Sequence, residues 1–310
     1  MSSTFSLQTR STSNIMMHVA LALVPGTAVM AYWFGAGVVI NIVVITCVSM
    51  LCEALAQKLR HRPIQPALQD GSIVLAAWLL ALCLPPGLPI FELIIGAISM
   101  TLLGKHVFGG LGQNPFNPAM VGYAVLLISF PKTMTSWPDP LSLNSVSVQW
   151  DAITQATPLD RLRGFERQAL STDPLTLSLW PWNLMNVFWL FGGLFLLARG
   201  IIRWHIPIAL LLTASIAHGL HYLIFPQYTL PPSSMMLSGA MMLGAFFIAT
   251  DPVTAPSSQY ARLLYGAGIG LLTVVLRGFS NYPEGIAFAV LLMNCTVPLL
   301  DRWFVLDRRP

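Results

Sequence analysis

Ten long apolar runs dominate this 310-residue chain, and they restrict what it can fold into more than any other feature. A helix of about 20 apolar residues crosses the roughly 30 Å of bilayer hydrocarbon, where every backbone N–H and C=O must find its partner within the segment. The runs are Ile15–Phe34, Gly37–Ala56, Gly71–Leu84, Leu88–Leu103, Pro118–Thr135, Trp182–Ala198, Ile206–Phe225, Met235–Thr250, Ala261–Leu276 and Gly285–Phe304. Only 9% of the residues are charged, against about 25% in a soluble domain, so most of the surface does not face water. The expected class is an all-α integral membrane protein of about ten transmembrane helices. Gly71–Leu84 is too short to span alone and must be extended or end early in a buried break. The first run is longer than a signal-peptide core and contains Pro25, which reads as a retained span.

Basic residues orient the spans. With the N-terminus in the cytoplasm, 11 of the 16 Lys and Arg fall in inside segments. Three of the other five, Arg161, Arg163 and Arg167, share one long loop, where the bias counts least. Both termini are therefore expected inside, and the segment from about Lys132 to Pro181 outside. Five runs precede that loop and five follow it, so the second half enters with inverted topology, as in proteins built from inverted repeats. Asp70-Gly71 opening a run that closes at Pro85-Pro86 matches Ser238-Gly239 opening one that closes at Asp251-Pro252. The implied layout is a cytoplasmic N-terminus (1–14), a first five-helix half (15–135), an external loop (136–181), a second half (182–304) and a cytoplasmic C-terminus (305–310).

Other chemistries find little support. Cys47, Cys52, Cys83 and Cys295 lie in apolar runs without a CxxC pair, and read as small core residues rather than ligands of zinc or iron–sulfur. No basic stripe with interleaved aromatics points to nucleic acid, and no glycine-rich turn follows a strand to bind a dinucleotide. Glu53 is expected at the cytoplasmic interface, pairing with Lys58 or Arg60, and Glu92 near the outer end of its helix, solvated. His218 and His221, three apart on one helix face, read as a buried hydrogen-bonded pair rather than a metal site.

Two segments are too polar and too broken for ordinary helix. Gly109–Ala119 carries three glycines and two prolines, and Ala249–Pro256 places Asp251 beside Pro252. Irregular backbone survives at membrane depth only inside protein or against a polar cavity. The expectation is that the two segments meet, with Asn114, Asn117, Thr250 and Asp251 supplying hard oxygen ligands for a small cation or a proton relay. Capping of helices at the cytoplasmic surface, or contact with a partner subunit or a flavin, is the alternative.

The external loop contains Asp151-Ala152-Ile153-Thr154-Gln155-Ala156-Thr157-Pro158. Its chemistry alone is that of a turn: a hydroxyl on Thr157, held extended by the following proline. The stretch resembles the flavinylation motif Asp-x-x-Ser/Thr-Gly-Ala-Thr, whose last threonine takes FMN through a phosphoester bond. Asp151, Thr154, Ala156 and Thr157 match, and Gln155 stands where the motif usually has glycine. Together with Asp70-Gly71-Ser72, Gly109–Ala119 and Ala249–Pro256, it resembles the D-subunit family of the Rnf ion-translocating oxidoreductase complex. That family is related to the B subunit of the sodium-pumping NADH:quinone reductase.

The resemblance implies an inner-membrane subunit that passes electrons through FMN attached at Thr157 on the periplasmic face. It also implies a complex coupling ferredoxin/NAD electron transfer to Na⁺ or H⁺ movement. Partners would be the A, B, C, E and G subunits of that complex, a flavin transferase for maturation, and membrane lipid. The chain would be part of a translocase-type oxidoreductase with no complete active site and no catalytic residue of its own. A second, non-covalent flavin such as riboflavin follows by analogy, with no residue pattern to locate it. Trp137, Trp150, Trp180 and Trp182 are assigned to the interfacial aromatic belt, with packing on the flavin ring as the alternative. The rival from another class is a cofactor-free secondary transporter or channel with inverted repeats, which the spans and broken segments fit equally well.

Overall fold

All ten apolar runs are helical over most of their length in a computed structural model, which describes residues 12–138, 140, 154–156, 174–224, 232–279 and 284–306. Six helices are long and apolar enough to cross a membrane. They are α1 (Thr12–Phe34), α2 (Ala36–Leu59), the greater part of α8 (Pro174–Ala198), α9 (His205–Ile224), α12 (Gln259–Phe279) and α13 (Ile286–Leu306). Each buries only part of its surface within the chain, and the remainder, rich in Leu, Ile and Val, faces outwards. That is how a helix looks when its solvent is as apolar as its core. The turn between α1 and α2 is a single residue, Gly35, whose φ of 71° a side chain would disfavour.

The other four runs are shorter or broken. Between α2 and the third run lies the short α3 (Ile64–Gln69). The third run forms α4 (Ser72–Leu82), which stops before Pro85-Pro86 at a buried end, with the Asn41 side chain donating to the Pro85 carbonyl at 3.0 Å. The fourth begins as α5 (Ile90–Ile98) and continues as a π-helix, π1 (Ser99–His106). The fifth, expected unbroken to Thr135, ends as α6 (Pro118–Ser129), because Pro131 cannot continue it and starts the short α7 (Pro131–Thr135). The eighth, expected as one helix, is α10 (Pro232–Met236), a turn through Gly239, then α11 (Met241–Leu243) running into π2 (Gly244–Ile248). The helix of the sixth run starts earlier than expected, within the loop segment, with Pro181 inside it.

The molecule has two ends. One bears a short antiparallel pairing of β1 (Ser136–Pro138) with β2 (Thr154–Ala156), in the register Ser136↔Ala156, Trp137↔Gln155 and Pro138↔Thr154. The other bears the start of α4, the end of π1 and the Gly109–Asn117 break. The α1–α8 and α9–α12 pairs pack closely along their lengths. Glycines permit it: a Cβ on Gly192 would sit 2.3 Å from the Ala22 carbonyl oxygen, and one on Gly270 2.3 Å from that of Leu210.

Candidate functional site: two cavities at opposite ends

The strand end opens into a cavity whose empty space, with the open solvent at its mouth, is about 1000 Å³. Its wall is aromatic and methionine-rich, with Trp137, Trp182, Trp189, Met30 and Met185 among the lining residues. Trp137 hangs on β1 and Trp182 on α8. Their rings lie 5.3 Å apart, edge to face, and both pack on Phe34 at the end of α1, at 5.7 and 5.2 Å. Trp182 is buried and Trp137 half-buried, so both pack within the protein rather than forming an exposed belt; Trp180 is exposed, and Trp150 lies outside the described residues.

The polar atoms of this cavity gather at the turn that opens α11. Asn186 of α8, fully enclosed, donates to the Leu237 and Gly239 carbonyls at 2.9 Å each and accepts from the Met242 amide at 3.2 Å. Opposite it, Arg277 at the end of α12 donates to both carboxylate oxygens of Glu284, at 2.8 and 3.1 Å, and to the Ser238 carbonyl at 3.4 Å. Glu284 also accepts from the Ala240 amide at 2.9 Å. One carboxamide and one ion pair thus satisfy the backbone groups that the broken helix frees, as burial requires.

The second cavity, with about 900 Å³ of empty space counting the open solvent at its mouth, lies at the other end. Asn114, Asn117, Thr250 and Asp251 all line it, so the two broken segments meet. Asn117 caps α6 by accepting from the Met120 amide at 3.3 Å, and its Nδ2 donates to the Ile248 carbonyl at the end of π2, at 3.2 Å. Its amide donates to Asn294 of α13, whose Nδ2 donates to Thr254 O at 3.3 Å and to Tyr265 Oη at 2.8 Å. Asp251 holds its own turn, accepting from the Val253 amide at 3.4 Å and from Thr254 Oγ1 at 3.2 Å. Thr250 Oγ1 donates to the Phe246 carbonyl at 2.6 Å, and Asn114 donates to Phe116 O at 3.0 Å.

Beside this cavity lies a buried charge cluster that differs from the expectation for Glu53. Rather than reaching the interface, Glu53 is wholly enclosed, with Lys105 Nζ 2.9 Å and His106 Nε2 3.0 Å from the same oxygen, and Gln57 donating to the other at 3.3 Å. Lys105 also donates to Ser72 Oγ at 3.2 Å and lines the cavity. A π turn advances fewer degrees per residue than an α turn, which lets the adjacent Lys105 and His106 both face α2. Arg60, the partner expected for Glu53, donates instead to the His106 carbonyl, and Arg62 donates to Gly109 O at 3.3 Å. Glu92 is also buried rather than solvated, accepting from Thr133 Oγ1 at 2.7 Å.

Of the motif residues, Thr154 and Ala156 form β2, opposite Pro138 and Ser136, while Asp151 and Thr157 lie outside the described residues. The His218 and His221 rings are 6.3 Å apart, edge to face, with His218 buried. Cys47 and Cys295 face outwards rather than into the core, since an apolar run does not say which of its faces meets lipid and which meets protein. Sequence reasoning passed over Lys105, Asn186, Arg277, Glu284 and Asn294. Their signal was present, because a polar side chain inside or at the end of an apolar run is a functional candidate by default.

The whole chain has relatives. A family model described as the NQR2, RnfD, RnfE family matches residues 1–308. The chain is 42% identical, over 97% of its length and 95% of the relative's, to a Cronobacter sakazakii protein named as the D subunit of an ion-translocating oxidoreductase complex. It is 41% identical, with the same coverage, to proteins of that name from Pectobacterium carotovorum and Escherichia coli.

Proposed function

This chain belongs to the NQR2, RnfD, RnfE family, and from that premise we propose that it is the D subunit of an Rnf-type ion-translocating oxidoreductase complex, carrying FMN in phosphoester linkage at Thr157. The observation that carries the reading is the pairing of β2 with β1. It sets Ala156 opposite Ser136, beside Thr135 and Trp137 of the cavity wall, and the proposed acceptor, Thr157, directly follows Ala156 in the sequence. The cavity fits a planar, mostly apolar ring system: Trp137, Trp182 and Trp189 supply flat walls, and Tyr123, Asn186 and Glu284 supply the few polar contacts such a pocket needs. Bound there, FMN would exchange one or two electrons, while this chain's residues supply its attachment, its orientation and its electrostatic surroundings.

The complex then couples electron transfer between ferredoxin and NAD to movement of Na⁺ or H⁺, with the nucleotide and ferredoxin sites among the A, B, C, E and G subunits. The second cavity is the ion side of the proposal: Asn114, Asn117, Thr250 and Asp251 surround it with oxygen atoms suited to a hard cation or a proton. A second flavin such as riboflavin belongs to the same proposal, without an assigned residue. The chain crosses the bacterial inner membrane ten times in two inverted halves, with both termini cytoplasmic and the Thr157 loop periplasmic. The inverted relation is supported by one repeated detail. The base ending the fourth run, Lys105, bonds Ser72 at the opening of the third, and the base ending the ninth, Arg277, bonds Ser238 at the opening of the eighth.

The test is in-gel flavin fluorescence of denatured protein co-produced with a flavin transferase. A fluorescent band is expected for the natural chain and none for Thr157→Ala. A band retained in that variant rejects the attachment site, and no band in the natural chain favours the cofactor-free transporter.

A further inference from the structure

Among the described residues that line the strand-end cavity, Glu284 is the only charged side chain. Its position is tightly held. Both its oxygens accept from Arg277, one accepts from the Ala240 amide, and the Ile286 amide approaches the other at 3.4 Å. Arg277 is 5% exposed and reaches Glu284 from behind, anchored by the Ser238 carbonyl. A fixed pair of opposite charges therefore stands in a wall whose other described residues are uncharged, with the carboxylate nearer the cavity. In so enclosed a setting a unit charge acts on its neighbours far more strongly than in water.

We propose that the Arg277–Glu284 pair sets the reduction potential of the group that occupies this cavity. The proposal rests on the flavin reading above and deepens it. An electron delivered by a one-electron carrier on a neighbouring subunit, an iron–sulfur or flavin centre, leaves that carrier oxidised by one and adds one unit of negative charge to the ring. No bond to this chain forms or breaks. The Glu284 carboxylate opposes the added charge and the Arg277 guanidinium favours it, so the potential is set by their difference. Neutralising either partner exposes the other, and the two neutralisations act in opposite directions.

The experiment is a spectroelectrochemical titration of the covalently bound flavin in the full-length chain, purified in its complex, with in-gel fluorescence confirming that each variant carries the group. Glu284→Gln is expected to raise the midpoint potential, Arg277→Gln to lower it, and Arg277→Lys to keep the natural value. A purely structural role would move the two glutamine variants the same way or not at all, and either result with the fluorescent band intact overturns the proposal. If Glu284→Gln does not accumulate, the contrast between Arg277→Lys, unchanged, and Arg277→Gln, lowered, decides it. A natural chain without covalent flavin overturns this inference together with the reading beneath it, so the two failures are distinguishable.

Discussion

The two cavities have similar size and similar builders, yet opposite chemistry. Each lies where a short or broken helix opens, and each has a buried base bonded to that opening. The strand-end cavity is walled by tryptophan and methionine and has one charged side chain among its described residues. The other gathers four polar side chains from two irregular segments and has Lys105 in its wall. One suits a large planar group and the other a small hydrated one. The backbone plan explains why there are two sites, and the side chains hung on it explain why the sites are not equivalent. On the proposed function, ion handling and flavin chemistry should be separable by mutation even though α8 contributes to both walls, through Trp182 at one end and Leu196 at the other.

The largest effect tests which cavity faces which side of the membrane. In a background without Cys47 and Cys295, which face outwards, a cysteine at Ser145 should react with an impermeant thiol reagent on intact cells and one at the exposed Gln65 should not. Gln57 is unsuitable as the inner reporter because it is buried against Glu53. The reverse pattern would exchange the two cavities and place the flavin loop inside. Next, Asp251→Asn keeps the shape of the side chain and removes its charge. It should abolish electron-coupled ion transport in the assembled complex while leaving the covalent flavin band at natural intensity. Full transport in that variant would end the ion role of Asp251, and loss of the flavin band would break the separation between the two ends.

The ion pairs sharpen the comparison energetically. Lys105→Met leaves the buried Glu53 with only His106 and Gln57 beside it, a change expected to cost about 3–5 kcal/mol and to be relieved in large part by adding Glu53→Gln. Arg277→Met should cost less, because the Glu284 side chain is 16% exposed, against 1% for Glu53. Thermal unfolding in detergent compares the two, and equal losses would contradict the difference in burial. The smallest effect is at the contact of α1 with α8. Gly192→Ala puts a methyl against the Ala22 carbonyl and should cost about 1–3 kcal/mol by overpacking. Gly278→Ala, with no atom within 4 Å of the added methyl, should be far milder in the same measurement.

Much of this was legible in the residues. The positions of the helices follow from runs of apolar side chains, because a backbone in hydrocarbon has to bond within its own segment. The places where those runs fail follow from glycine, proline and Asp251, because irregular backbone needs polar company. The partner of Glu53 could not be read. Lys58 and Arg60 are near it in sequence, but Lys105 and His106 reach it only because π1 packs on α2 and turns two successive side chains the same way. Nor could the joining of Arg277 to Glu284 across the opening of α11, or of Asn117 to Asn294 across 177 positions. Membership of a span is decided by transfer from water to lipid, which each segment undergoes on its own account. The pairing of buried polar groups is decided by which helices lie side by side, and that is a property of the whole packed bundle.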